Sequence, residues 1–165
     1  MQATKLVPRS TEHGLPSGQT GCSKVQAEDL WNGHGRSAYA LACALLGDET
    51  AAKQAVVLGM TDFARSQAST SAGDTRRSLA RHVYWRSTEL ASETSRTTGL
   101  PPTMAWLAQL AQQQRTSLAL CAFGGHTYQE AADLLDIAPL TAAELLRSGL
   151  NELSGLSTPG IAVSA

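Results

Sequence analysis

Positive charge is in short supply: 13 Lys and Arg stand against 14 Asp and Glu, a formal net charge of -1. No global field therefore draws the molecule toward nucleic acid, and any such contact has to come from a local patch. Aromatic residues make up only 5% of the 165 residues, and Val and Ile are sparse beside Leu and Ala. Strands draw on β-branched and aromatic side chains, whereas unbranched ones lose little rotamer freedom on a helix. The expectation is an all-α chain with no strand.

Cysteine is equally thin. Cys22, Cys43 and Cys121 are too few and too scattered for a disulfide framework or a close-spaced zinc motif, and read as small apolar residues in a reducing cytosol. His13, His34, His82 and His126 lack ligand spacing and are expected at the surface or at helix caps. No Ser-His-Asp or Cys-His set at local spacing stands out, nor a phosphate-binding glycine loop, so neither catalysis nor a cofactor is expected. There is no apolar stretch of about 18 residues, and Met1 to Ser23 hold no run suited to a signal peptide. A soluble, cytoplasmic protein with no membrane contact follows as the expectation.

What the chain does have is helical periodicity broken by turn signals. Residues 1–24 mix Pro, Gly and polar residues and read as a disordered tail. Residues 25–97 carry three helical patterns. The first places Leu30, Ala38, Leu41, Ala42, Leu45 and Leu46 on one stripe and stops at Gly47-Asp48. The second, about Thr50 to Ser66, turns Ala51, Ala55, Val56, Gly59, Met60 and Phe63 inward, making an antiparallel hairpin with the first. Gln67 to Asp74 reads as an exposed loop. The third, about Thr75 to Ala91, points Arg76, Arg77, Arg81 and Arg86 outward, the one concentrated positive surface in the chain.

A linker at 98–103 contains Gly99-Leu100-Pro101-Pro102, which stops a helix. Residues 104–154 then read as a second small domain, and 155–165 as a flexible tail. Met104 to Gln112 and Gln114 to Phe123 are two short helices, the second ended by Gly124-Gly125. Thr127-Tyr128-Gln129-Glu130 is a capping box, and Thr141-Ala142-Ala143-Glu144 is read as another. The last helix is expected to bury Ala142, Leu146, Leu150 and Leu153, with Trp31 and Trp106 as core anchors. Two capped helices joined by a short turn after a helix pair form a helix-turn-helix pattern.

The run Tyr39-Ala40-Leu41-Ala42-Cys43-Ala44-Leu45-Leu46-Gly47-Asp48, with Ala51, Ala52, Ala55, Val56 and Phe63, resembles conserved region two of the small extracytoplasmic-function sigma factors of bacterial RNA polymerase. The run Gln114 to Leu120, then Phe123-Gly124-Gly125, Thr127 to Ala132, Leu135 and Ile137, resembles region four. The resemblance spans about residues 30 to 154. It implies two small helical domains, a region-two-like three-helix lobe that binds RNA polymerase core and a region-four-like lobe whose helix-turn-helix contacts promoter DNA. Carried onto this sequence, Asp48, Lys53, Gln54, Val57 and Leu58 fall at the polymerase-binding surface. Arg76, Arg77, Arg81, Trp85 and Arg86 fall on the helix that holds the melted strand, and Thr127, Thr141 and Arg147 in the helix-turn-helix.

Several polar contact positions differ from the family pattern. Lys53-Gln54 and Val57-Leu58 stand where the family has an acidic pair and then a Gln-Glu pair. Between His126 and Leu153, Arg147 alone opposes Glu130, Asp133, Asp136, Glu144 and Glu152, a balance of -4. Because cations that release condensed counterions supply much of DNA affinity, this favours an alternative reading. In it the chain is a sigma mimic that binds an anti-sigma factor or another regulator and does not bind DNA specifically.

Overall fold

The computed structural model describes residues 24–66, 75–93 and 102–156, all but a few of them helical, with no strand among them. The loop at 67–74, most of the linker, and the expected tails apart from Lys24, Gly155 and Leu156 lie outside the described residues; those three are helical, Lys24 opening α1 and Gly155 and Leu156 ending α7. In chain order the helices are α1 (Lys24–Leu30), a π turn at Trp31–Gly35, α2 (Arg36–Leu46), α3 (Glu49–Ser66) and α4 (Thr75–Glu93). A 3₁₀ helix (Pro102–Gln109), α5 (Gln112–Ala122), α6 (Tyr128–Leu135) and α7 (Pro139–Leu156) follow. Pro102 and Thr103, expected in the linker, already belong to the 3₁₀ helix, because a proline at a first helical position loses no hydrogen bond and has its φ preset.

The α2–α3 hairpin forms for local reasons. Gly47 takes a left-handed φ of 66°, which a residue with a Cβ resists, and its N–H closes on the Cys43 carbonyl at 2.9 Å. Asp48 then accepts a hydrogen bond from the Ala51 N–H at 2.6 Å and so caps α3. Along α2, Leu41, Ala42, Cys43 and Ala44 are fully buried, and α3 meets them with Ala52, Ala55, Val56 and Phe63. The small residues let backbones approach closely. α4 crosses α3 where Gly59 faces Val83, and lays Leu79, Ala80, Val83 and Tyr84 into the same core.

The C-terminal helices α5, α6 and α7 pack on one another. Gln114, nearly buried, ties this group together: its Oε1 accepts from the Ala111 N–H at 2.9 Å, while its Nε2 donates to Ser148 Oγ at 3.0 Å and Glu152 Oε1 at 2.8 Å. One amide therefore fixes both the start of α5 and the slant of α7. α2 packs against α5, so a single apolar cluster runs from Ala38 through Leu79 and Leu107 to Ala131.

Three expectations about the core are corrected. Trp31 is 52% exposed and lies across Gly35, because the π turn carries an extra residue that rotates it off the apolar stripe. Trp106 is 37% exposed: the threefold repeat of the 3₁₀ helix brings Leu107 and Leu110 inward and leaves its neighbour at the rim. Leu150 is also out, at 58%, since the buried face of α7 follows Ala142, Leu146, Gly149 and Leu153.

The α3–α4 crossing gives a test. A Cβ on Gly59 would lie 2.8 Å from Val83 Cγ2 and 3.0 Å from the Val83 backbone N and Cα. Alanine would gain about 1 kcal/mol of helix propensity, yet overpacking costs about 1–3 kcal/mol, and backbone cannot rotate aside. Gly59→Ala is expected to lower stability by a net of up to about 2 kcal/mol, read as a lower urea midpoint at unchanged m-value.

Candidate functional site

The arginine helix is where sequence and structure meet most closely. α4 carries Arg77, Arg81 and Trp85 at i, i+4 and i+8, hence on one face, with Arg76 and Arg86 beside it. The C-terminal helices come up against the first half of this face. Arg76 donates from Nε to the Phe123 carbonyl at 3.1 Å and from Nη2 to the Ala122 and Phe123 carbonyls, both at 2.9 Å. Those oxygens end α5, where the last carbonyls have no intrahelical partner and the helix dipole is negative, so a guanidinium is well suited there. Arg77 donates to Glu130 Oε1 at 2.6 Å.

Glu130 is held from both sides. Its Oε2 accepts from the Thr127 N–H at 2.7 Å, and its own N–H donates to Thr127 Oγ1 at 3.2 Å, completing the expected capping box of α6. The Thr127 amide first, and then the Thr127 hydroxyl and Arg77, keep the Glu130 carboxyl below the usual carboxylate range against some burial. Arg86 turns the other way, donating to Asp62 Oδ2 at 2.6 Å and Glu89 Oε2 at 2.8 Å. That hydrogen bond lowers the Asp62 pKa. Arg81 is exposed and has no ion-pair partner among the described residues. Trp85 is 52% exposed, edge-on to Tyr84 with ring centroids 5.3 Å apart. Arg81 and Trp85 are thus the members of the α4 set left facing solvent outside the ion pairs, while Arg76, Arg77 and Arg86 are engaged.

On α3, Lys53, Gln54 and Val57 are exposed side by side, Lys53 beside Glu49 at 3.8 Å, with Leu58 half-buried and Asp48 occupied as the cap. α6, a turn at Asp136 to Ala138 and α7 follow in series, Asp136 taking a left-handed φ of 53° as the C-cap of α6. The second capping box does not form as expected: α7 begins at Pro139, whose preset φ starts the helix two residues before Thr141, so Thr141 lies inside the first turn. Leu140, Thr141, Glu144 and Arg147 are exposed along α7. Leu145 is half-buried and borders a cavity of about 230 Å³ between the helix groups, with Leu45, Tyr84, Thr88, Gln112 and Leu135 on its other sides and no charged side chain in its lining.

Sequence reasoning passed over His126 and the docking role of Arg76 and Arg77. His126, expected at the surface or at a cap, is 5% exposed, because the Gly124-Gly125 turn folds it back so that its N–H donates to the Leu120 carbonyl at 3.2 Å. Gly124 is required by close approach: a Cβ there would lie 2.5 Å from the Leu120 carbonyl oxygen and 3.3 Å from Ala80 Cβ. Among the described residues no group of three or more His, Cys, Asp or Glu is arranged to hold a metal ion, and no helix is long and apolar enough to cross a membrane. No protein-family model, no curated protein and no solved structure matches the chain.

The capping box is directly testable. Thr127→Ala removes the hydroxyl that accepts the Glu130 N–H and is expected to cost about 1 kcal/mol, whereas Thr127→Ser should retain most of it. Equilibrium urea unfolding of both variants distinguishes a lost cap from a lost methyl group.

Proposed function

We propose that this chain is a sigma-like transcription-initiation protein of two small helical lobes, without catalytic chemistry of its own. In this reading α1–α4 form a region-two-like lobe that docks on RNA polymerase core through the exposed Lys53, Gln54 and Val57 face of α3. The lobe of α5–α7 carries a helix-turn-helix in α6 and α7 that approaches promoter DNA. The observation that carries the reading is the order of elements. A capped α2–α3 hairpin precedes an arginine-bearing α4, and three further helices end in α6, a three-residue turn and α7. Arg81 and Trp85 supply a cation and an aromatic face side by side on α4, a pairing suited to single-stranded nucleic acid, where bases stack on rings and phosphates follow positive charge. Thr127, Thr141 and Arg147 are the polar groups available to a duplex, few enough that affinity for DNA would rest on polymerase as well.

A second reading has its own support. The outer face of α7 presents Leu140, 72% exposed, and Glu144 with Arg147 as its cation. An exposed leucine one helical turn from a carboxylate suits a protein surface better than a phosphate backbone. In that reading the chain is a sigma mimic that engages an anti-sigma factor or other regulator.

Immobilised full-length chain is expected to retain purified RNA polymerase core, and Val57→Glu to weaken that retention at least several-fold without changing the unfolding midpoint. Absence of retention overturns the leading reading. Promoter DNA binding by the polymerase complex that falls with rising salt favours the leading reading over the mimic; recovery of an anti-sigma protein and no polymerase from host extract favours the mimic.

A further inference from the structure

The place where α4 meets the α5–α6 turn contains a group that none of the foregoing uses. The His126 ring is buried, and neither Nδ1 nor Nε2 has a hydrogen-bond partner. The backbone around it is ordered by its own N–H, which donates to the Leu120 carbonyl at 3.2 Å. A Cβ at Gly124 would lie 2.8 Å from Nδ1 and 3.3 Å from Ala80 Cβ, so the imidazole and Ala80 of α4 both border the space that Gly124 leaves open. The charged groups acting on it are Arg77 and Arg81 on α4 and Glu130 on α6, with Arg76 beside the neighbouring Gly125. The carboxylate is already engaged by Arg77 and by the Thr127 amide.

We propose that His126 is a proton-operated latch: its neutral ring lets the α5–α6 turn dock on α4, and its protonation releases that turn together with Arg76 and Arg77. A neutral imidazole buried beside Gly124 gives up hydrogen bonds to water and gains packing. An imidazolium there is cut off from water, has the Leu120 carbonyl as its nearby acceptor, and carries positive charge toward Arg81 and Arg77, with Glu130 already committed to Arg77 and Thr127. Undocking rehydrates the ring and removes that conflict.

The direction follows by linkage. Burial pushes the docked imidazole below its ordinary value, with Arg81 and Arg77 adding to the shift and the Leu120 carbonyl and Glu130 opposing it. A base whose docked pKa is depressed leaves docking at full strength above the undocked value of about 6.5, and weakens it as pH falls below that. Each pH unit between the undocked and docked values moves the equilibrium toward the open form by up to about tenfold. The groups released are Arg76, from the end of α5, and Arg77, from Glu130. Both then join Arg81 on the α4 face, so protonation exposes a larger cationic surface to an acidic partner of any kind.

The test uses the full chain alone, without nucleic acid or polymerase, so its outcome is independent of the functional reading. Radius of gyration by solution scattering and amide exchange across Phe123 to Thr127 are followed from about pH 8 to about pH 5. The expected result is faster exchange in this turn and a larger radius below about pH 6.5, at constant helix content, in step with the titration of the His126 ring observed by NMR. His126→Leu is expected to stay closed at the acid end. Should that variant not fold, the wild-type ring titration still decides: opening that does not track it, or a ring that titrates at its ordinary value with no opening, overturns the latch. Equal opening in a folded His126→Leu does the same.

Discussion

Arg76 spans the gap between two sets of helices by donating to the last carbonyls of α5, and the rest of the arrangement depends on that contact. The last carbonyls of a helix have no intrahelical partner and carry the negative end of its dipole, so a cation that reaches them is favoured even at an exposed site. A planar guanidinium with several donors can serve two adjacent carbonyls at once, which an ammonium does poorly. With Arg76 fixed, Arg77 one residue on reaches Glu130, and Glu130 can be both an ion-pair partner and half of the α6 cap. The start of α6, set by its own capping box, is thereby tied to α4, and α7 is tied to α5 through Gln114.

The same contact limits what α4 can present. Helix faces with several arginines invite a nucleic-acid reading, yet a cation held by a carboxylate or by helix-end carbonyls has already lost part of its hydration and of its attraction for phosphate. In the docked arrangement Arg81 and Trp85 remain outward while Arg76, Arg77 and Arg86 are committed within the molecule. These ion pairs are partly exposed, so each is weak by itself. Their effect is to orient rather than to stabilise strongly, and an arrangement held by weak, solvent-reachable pairs can be undone by a modest change in charge.

Helices were legible because their signals are local. Gly47-Asp48, Thr127 through Glu130 and the Leu and Ala stripes act within one or two turns, and the corresponding elements appear within a few residues of where the pattern puts them. The misplaced residues depend on departures from α geometry that periodicity does not encode. Trp31 is displaced by a π turn and Trp106 by a 3₁₀ helix, and Thr141 loses its capping role to Pro139. His126 and the docking arginines were illegible for a further reason: their partners lie about fifty residues away in sequence, as Arg77 and Glu130 do at a separation of 53. The close pair Gly124-Gly125 ahead of a capping box was the one local sign that backbone had to come near something there.

Neutral and charged groups divide the contact between the helix groups in a way that bears on both readings of function. Toward the cavity beside α4 the contact is apolar and uncharged, with Leu45, Leu135 and Leu145 among neutral polar side chains. Toward the α5–α6 turn it is built from guanidinium, carboxylate and imidazole. Apolar packing holds elements together without choosing one register over another, whereas paired charges discriminate between registers and respond to protons and salt. A partner that competes for Arg76 and Arg77, whether phosphate or acidic protein, therefore acts on the responsive side of this contact and leaves the apolar side to reclose. That asymmetry makes the charged end, rather than the cavity, the place where the state of the α4 arginines and the positions of α6 and α7 are physically linked.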